Sequence, residues 1–332
     1  MAPRPAGGTA TPAREARRRA VTLGALNGAF GDALVRSGSE LALPMTVRSH
    51  GRELTVEPED LAEDLAGATP RLVLLAHGLC KSDRAWRPSA RGLRAGRVDV
   101  ARALEADLGW TALHLRYNSG LHVSDNGRRL AGLLDDLVAA WPGELTEIAL
   151  IGHSMGGLVV RSACHYGEAD GRAWTRSLRH VICLGTPHLG APLEKGTNAV
   201  AWALARFPEA RPFADLLNAR SSGIKDLRFG ACVDEDWGGA DPDALLWNRC
   251  RDIPFLPSVR YRSIAGGLSG PAGRVLGDLL VPSASASGRG RRRRLAFGED
   301  DLVVLPGISH LRLVDSPLVY EQLRAWLGEP RG

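Results

Sequence analysis

A serine lies between two glycines in residues 152–156, whose sequence is G-H-S-M-G. An apolar run, Glu147–Ile151, precedes this segment, and a helical pattern, Gly157–Cys164, follows it. A sharp turn from a strand into a helix needs small residues two positions before and after the serine, because larger side chains would collide there. The spacing predicts that Ser154 is a hydroxyl nucleophile held at a helix N-terminus, where backbone N–H groups favour a developing anion.

A histidine and a carboxylate are the partners that such a serine needs, because the hydroxyl is a poor nucleophile until an oriented base takes its proton. His310 follows the last apolar run and precedes the last helical pattern, so we predict that it is the base. Asp278 follows the preceding apolar run and is the predicted acid. The other candidate carboxylates are Asp300 and Asp301, which start the last run, and Asp243 and Asp252, which fall in an insertion.

Two backbone N–H groups must also face the oxyanion of an acyl-transfer site. Met155 follows the nucleophile directly, and we predict that its N–H is one of them. We predict that Leu79 supplies the other, because Gly78 lets the loop after the first apolar run approach closely. We expect His77 to be a structural residue of that loop rather than a second base, and Cys80 to be a bystander thiol.

Six short apolar runs, separated by helical patterns, must position these residues. Short continuous apolar runs are typical of strands that are buried on both faces of a parallel sheet. The sequence therefore predicts an α/β fold with a mainly parallel sheet covered by helices on both faces. The predicted strands are Arg71–Ala76, Thr111–Tyr117, Glu147–Ile151, His180–Leu184, Val259–Ala265 and Asp301–Leu305.

Three segments fall outside this alternation of strands and helices. Residues 1–12 are predicted to be a disordered tail, and residues 13–69 an N-terminal helical extension without a strong strand. Residues 70–332 form the main domain, which contains an insertion at about 191–257 that is rich in aromatic residues. We interpret this insertion as a cap over the site. The alternative is a second packing layer with no role in substrate binding.

The net charge of the 332-residue chain is +5, and its location matters more than its sign. Residues 1–20 contribute +4 and residues 289–294 contribute +5, so the rest of the chain is mildly acidic. No recognition motif accompanies these arginines, and we predict no specific nucleic-acid partner. The run Arg289–Arg294 is either a solvated loop or a weak contact for anionic lipid headgroups.

Composition excludes several other classes of protein. No apolar run reaches the roughly 18 residues of a membrane helix. The five cysteines have no C-x-x-C spacing, so neither a zinc site nor a disulfide framework is predicted, although Cys232 and Cys250 remain a candidate pair. The basic N-terminal residues are not followed by the uninterrupted apolar core of a secretory signal, so we expect a cytoplasmic protein.

Together these residues resemble the α/β-hydrolase superfamily, specifically serine esterases and lipases of the GPI inositol-deacylase-like and triacylglycerol-lipase-like branch. Three further segments strengthen the resemblance, which covers about residues 70–328: G-T-P-H-L-G-A-P at 185–192, G-D-L-L-V-P at 277–282 and Y-N-S-G at 117–120. It implies an α/β-hydrolase fold, ester hydrolysis, no metal and no organic cofactor. By matching position it assigns the triad to Ser154, Asp278 and His310, the oxyanion donors to Leu79 and Met155, and a pocket or loop position to His188.

The sequence therefore predicts a serine hydrolase that cleaves carboxylic esters of an acyl or lipid-like substrate through an acyl-enzyme intermediate. Acyl transfer and thioester hydrolysis are the alternatives on the same fold, because only the acceptor or the leaving group differs. A non-catalytic, membrane-peripheral binding protein is the alternative from another class. No particular oligomeric state is predicted.

Overall fold

The computed structural model describes residues 12–191, 221–237, 250–267, 278, 280–290 and 293–329. These residues form an eight-stranded sheet with the strand order β2-β1-β4-β3-β5-β6-β7-β8. Strand β1 is antiparallel to β2 and β4, and the other neighbouring strands are parallel. The strands are β1 (Thr46–Ser49), β2 (Arg52–Glu53), β3 (Arg71–Ala76), β4 (Thr111–Arg116), β5 (Glu147–His153), β6 (Leu178–Leu184), β7 (Arg260–Gly267) and β8 (Leu302–Pro306).

Helices cover both faces of this sheet, as the sequence predicts. They are α1 (Pro12–Arg36), α2 (Pro58–Asp64), α3 (Ala90–Arg94), α4 (Val100–Leu108), α5 (Val123–Ala140), α6 (Met155–Ala169), α7 (Ser222–Phe229), α8 (Ser283–Ala286) and α9 (Pro317–Leu327). Helices α5 and α6 contribute to one hydrophobic core, and α4 and α9 contribute to the other.

Strand β3 shows why the central strands are continuously apolar. Leu72 and Leu74 belong to the core under α5 and α6, whereas Val73 and Leu75 belong to the core under α4 and α9. Since both faces are buried, a polar residue at any of these positions would lose its hydration. All six predicted strands are present, with ends that differ by at most two residues.

Residues 13–69, predicted to be a helical extension without a strong strand, also contain β1 and β2, which join the sheet. Val47 is the fully buried side chain of β1, and its neighbours are polar, so no apolar run marks the strand. The strand is held instead by backbone pairing to β4 and by an ion pair from Arg48 to the buried Asp83, 3.7 Å apart. Pairing across the sheet therefore determines a strand here that local composition does not indicate.

Helix α1 packs against the loop that follows β3. A Cβ atom added at Gly24 would lie 2.6 Å from the Lys81 carbonyl oxygen, and one added at Gly28 would lie 2.8 Å from the Cys80 Cα. The amide of Asn27 donates to the Leu41 carbonyl at 2.8 Å and so ties the helix to the chain that leaves it. The N-terminal segment thus supports the loop that carries Leu79.

Most of the predicted cap lies outside the described residues, as do residues 1–11 of the predicted tail, Arg291 and Arg292. Aromatic contacts join the described parts of this segment, residues 221–237 and 250–257, to the neighbouring helices and strands. Trp237 stacks on His122 with ring centroids 3.9 Å apart, and Phe255 stacks on Tyr261 at 4.0 Å. Cys232, one of the candidate disulfide pair, is a free thiol.

Candidate active site

Ser154 lies in the sharp turn between β5 and α6. Its backbone has φ 55° and ψ −124°, a region that residues other than glycine rarely adopt. A Cβ atom added at Gly152 would lie 2.4 Å from the Gly157 nitrogen, and one added at Gly156 would lie 2.6 Å from the Ala76 and His77 carbonyl oxygens. Both glycines are therefore required for the turn to close.

The turn is fixed by backbone hydrogen bonds on both sides of the serine. The Ser154 N–H donates to the Leu184 carbonyl at 2.8 Å, which ties the turn to the end of β6. The Gly157 N–H donates to the Ser154 carbonyl at 3.0 Å. The serine consequently lies at the N-terminus of α6, where the helix dipole favours negative charge.

His310 and Asp278 meet in a buried hydrogen bond beyond β7 and β8. The His310 Nδ1 lies 2.7 Å from the Asp278 Oδ2, and both side chains are buried. The Asp278 Oδ1 accepts from the backbone N–H groups of Val281, at 2.8 Å, and Leu280, at 3.1 Å. An ionised carboxylate can only accept, so His310 carries its proton on Nδ1 and leaves the Nε2 lone pair able to accept a proton.

The end of β6 forms a further wall against the imidazole of His310. Gly185 has φ +59°, and a Cβ atom added there would lie 3.0 Å from the His310 Nδ1 and 2.7 Å from the Leu313 Cδ1. A larger residue at position 185 would displace the histidine from its carboxylate. This glycine is the first residue of the G-T-P-H segment, and its packing role was not predicted from the sequence.

His153 contacts His310, the predicted base, from the side of Ser154, and sequence reasoning also missed it. Its Nε2 donates to the His310 carbonyl oxygen at 3.0 Å, and the two rings lie 4.8 Å apart. Burial, aided by the nearby His310, holds the pKa of His153 well below its ordinary value, so the ring is neutral. The available sequence signal was its position inside the G-x-S-x-G segment, next to the serine.

The loop after β3 approaches the serine closely. A Cβ atom added at Gly78 would lie 3.0 Å from the Ser154 Cβ. The Gly78 carbonyl accepts from His77 Nδ1 at 2.9 Å and from the Lys81 N–H at 3.3 Å. Because the peptide is trans, the Leu79 N–H points away from that carbonyl, toward the opposite side of the peptide plane.

The His77 ring is occupied by contacts within the loop. Its Nε2 accepts from the Tyr117 N–H at 3.4 Å, and the ring stacks on the Tyr117 ring at 4.3 Å. Burial lowers the pKa of His77 to about 4, so it is neutral near pH 7. Burial also raises the pKa of the neighbouring Cys80 thiol to about 12, which makes it a poor nucleophile.

The competing residues lie in other surroundings. Asp301, near the start of β8, pairs with Arg262 at 3.3 Å, and Asp252 pairs with Arg293 at 2.9 Å. Asp300 is exposed, and Asp243 lies outside the described residues. The His188 Nδ1 lies 3.2 Å from the Arg161 guanidinium, and the ring packs beside Phe297 at 5.2 Å.

The described side chains contain no group of histidine, cysteine, aspartate and glutamate residues arranged to hold a metal ion. Within the described ranges, none of the helices combines the length and the hydropathy that a membrane-spanning segment needs.

One known protein family matches the part of the chain that contains Ser154. A family model described as the PGAP1-like alpha/beta domain matches residues 68–240, just over half of the 332 residues. The chain belongs to this family. The matched range contains Leu79, Ser154 and Met155 and ends before Asp278 and His310. No curated protein matches the chain closely enough to count as a relative.

Solved structures show the fold. The chain is similar to the Bacillus licheniformis lipase BlEst2 in its mature form, with 21% identity and a TM-score of 0.51 over 78% of this chain and 92% of the lipase. The propeptide form of that lipase gives the same identity and TM-score over 79% of this chain and 51% of the lipase chain. An α/β-hydrolase fold protein from Chitinophaga pinensis has 13% identity and a TM-score of 0.44 over 79% of this chain and 91% of its own. The mature lipase, with its TM-score above 0.5, and the order of the eight strands support the α/β-hydrolase fold that the sequence resemblance implies.

Proposed function

We propose that this protein is a serine hydrolase that cleaves carboxylic esters through a covalent acyl-enzyme. The observation that supports the proposal best is the buried 2.7 Å contact between His310 Nδ1 and Asp278 Oδ2, beyond the ends of β7 and β8. Parallel strands end at one edge of a sheet, so this pair lies at the same edge as the strained turn that carries Ser154. A nucleophile, a base of fixed tautomer and an orienting carboxylate are the parts that acyl transfer requires.

The proposed reaction proceeds in two halves. The Ser154 Oγ attacks the ester carbonyl carbon while His310 Nε2 takes the hydroxyl proton, and the N–H groups of Leu79 and Met155 donate to the oxyanion. The C–O bond to the alcohol breaks, and His310 returns its proton to that alcohol. A water molecule then gives a proton to His310 and attacks the acyl-enzyme carbonyl carbon. The C–O bond to the Ser154 Oγ breaks, and His310 returns the proton to that oxygen, which releases the acid and restores Ser154. Asp278 stays ionised throughout and stabilises the imidazolium.

An acyl or lipid-like substrate is the class that fits the surroundings of the serine. Helix α7 of the insertion reaches the site, because a Cβ atom added at Gly223 would lie 3.0 Å from the Met155 Cε. Met155 and Leu79, whose backbone N–H groups are the proposed oxyanion donors, both have buried apolar side chains. Apolar surroundings favour a substrate with an apolar acyl chain over a charged substrate.

Turnover of p-nitrophenyl esters tests the proposal. Ser154→Ala should eliminate hydrolysis while the protein stays folded, and a fluorophosphonate probe should label wild type but not the variant. Ser177→Ala is the matched control, because its hydroxyl donates to the Leu145 carbonyl at 3.1 Å, outside the site. A series of acyl lengths should show a preference, with free acid rather than a transfer product released in the presence of an added alcohol. Unchanged turnover in Ser154→Ala would overturn the assignment.

A weak contact with anionic membranes through Arg289–Arg294 belongs to the same proposal. Arg289 and Arg294 are exposed and pair with each other in a short β-bridge, whereas Arg293 is held by Asp252. Pelleting with phosphatidylserine vesicles should therefore be salt-dependent and should weaken in the Arg289→Ser/Arg294→Ser variant. Equal pelleting of variant and wild type at low salt would refute this contact.

A further inference from the structure

The segment that carries the nucleophile and the segment that carries the base are joined by one side chain. His153 belongs to the end of β5, immediately before Ser154, and its Nε2 lies 3.0 Å from the His310 carbonyl oxygen. Residues 152–156 and residues 307–313, all of them described, share this hydrogen bond and no other. His153 therefore connects two elements that are far apart in the sequence and must meet for catalysis.

The protonation state of His153 follows from its partner. A carbonyl oxygen can only accept, so the proton of His153 is on Nε2 and its Nδ1 is bare. The ring is buried, with its edge toward Trp86 and its Nδ1 close to Gly78 of the loop after β3. The side chain is thus a neutral donor of fixed tautomer that lies between the loop after β3 and His310.

The hydrogen bond between His310 and Asp278 cannot hold His310 against β5 in this way. Asp278 and His310 both lie on connections beyond β7 and β8, so their 2.7 Å contact fixes the ring of the base relative to the acid. It does not fix either residue relative to β5. The bond from His153 holds the backbone of His310, at the start of the short helical turn His310–Arg312, against the strand that ends at the serine. Asp278 therefore contacts the imidazole of His310, whereas His153 ties the backbone of His310 to the segment next to Ser154.

We propose that His153 is a positioning residue for the general base, acting through the backbone carbonyl of His310. The inference rests on the proposed function, because it assumes that His310 accepts the Ser154 proton. Since the alignment of reacting groups is sensitive to shifts of about 1 Å, loss of the donor should reduce kcat on the order of 10- to 100-fold, with little effect on KM.

A matched pair of substitutions isolates the hydrogen bond from the packing. Methionine and glutamine have similar length and flexibility, but only glutamine has an N–H donor. We expect His153→Met to show the full loss of kcat on p-nitrophenyl butyrate and His153→Gln to recover most of it. The rate of fluorophosphonate labelling of Ser154 should fall in parallel, because labelling needs the same proton transfer. His114→Met is the control, since His114 is also buried but lies inside β4, two strands away from β5 in the sheet.

Tm, kcat and the labelling of Ser154 distinguish a positioning role of His153 from a merely structural role, and distinguish both from failure of the proposed function. A structural role would lower Tm in both variants and leave kcat per titrated active site unchanged. Wild-type kcat in a folded His153→Met, or equal losses in the Met and Gln variants, would overturn the inference. His153→Leu replaces His153→Met in the comparison if the methionine variant does not fold. Wild type that neither turns over esters nor labels at Ser154 would instead refute the proposed function.

Discussion

The substitution Asp278→Asn should abolish the proposed ester hydrolysis without unfolding the protein, and the hydrogen bonds of Asp278 show why. Its Oδ1 accepts from two backbone N–H groups, those of Leu280 and Val281, while its Oδ2 accepts from His310. An asparagine has one acceptor oxygen and one donor NH₂ at these two places. The two backbone donors force the oxygen into the Oδ1 position, so the NH₂ must face His310.

This orientation reverses the tautomer of the base. A donor facing His310 Nδ1 turns that nitrogen into an acceptor, and the ring proton moves to Nε2, the atom that has to accept the Ser154 proton. We therefore expect kcat to fall about 10⁴-fold, which corresponds to about 5 kcal/mol of transition-state stabilisation. Because the two backbone contacts to the Oδ1 position persist, Tm should change little.

The assay is steady-state hydrolysis of a p-nitrophenyl ester, together with thermal unfolding of each variant. Asp301→Asn is the matched control, because Asp301 is the rival carboxylate near the start of β8 and pairs with Arg262 rather than with a histidine. Its kcat should stay at the wild-type level. A folded Asp278→Asn variant with kcat within 10-fold of wild type would refute both the tautomer argument and the role of Asp278.

Two further predictions concern stability. Gly156→Ala should destabilise the fold by about 3 kcal/mol or prevent folding, because the added Cβ meets two backbone oxygens at 2.6 Å. Gly132→Ala in α5 should instead stabilise the fold by about 0.5–1 kcal/mol, because the nearest neighbour of its added Cβ is an Arg172 nitrogen at 3.9 Å. Thermal unfolding measures both effects, and equal Tm values for the two variants would contradict the packing argument. Burial acts to lower the pKa of His122, but hydrogen bonding to Asp226 outweighs it and raises that pKa. The bond therefore stabilises the protein below about pH 6.5, the ordinary pKa of histidine, and this contribution is lost as pH rises through the folded-state pKa of His122. Tm should fall across that range in wild type and fall less in His122→Asn, and parallel pH profiles would refute this.

The sequence indicated those parts of the fold that local chemistry determines. Strands such as β3 are buried on both faces and must be apolar throughout, and the turn at Ser154 tolerates only glycine at two flanking positions, so both leave a readable pattern. Strand β1 has one fully buried side chain and owes its conformation to pairing with β4, which no local pattern shows. The roles of Gly185 and His153 depend on a contact with His310, more than 120 residues away in the sequence, and only the folded chain brings them together.

The three histidines around the serine differ in their partners, and this difference explains why one of them suits the role of base. His77 and His153 each donate to a backbone carbonyl, and burial lowers the pKa of both, so neither can carry a positive charge near pH 7. His310 alone among the three faces a carboxylate, which under the proposed function would stabilise the imidazolium formed when the Ser154 proton is taken. In that reaction the neutral rings of His77 and His153 would not compete for the proton. The positive charge would then reside on the one histidine of the three that has a counter-ion.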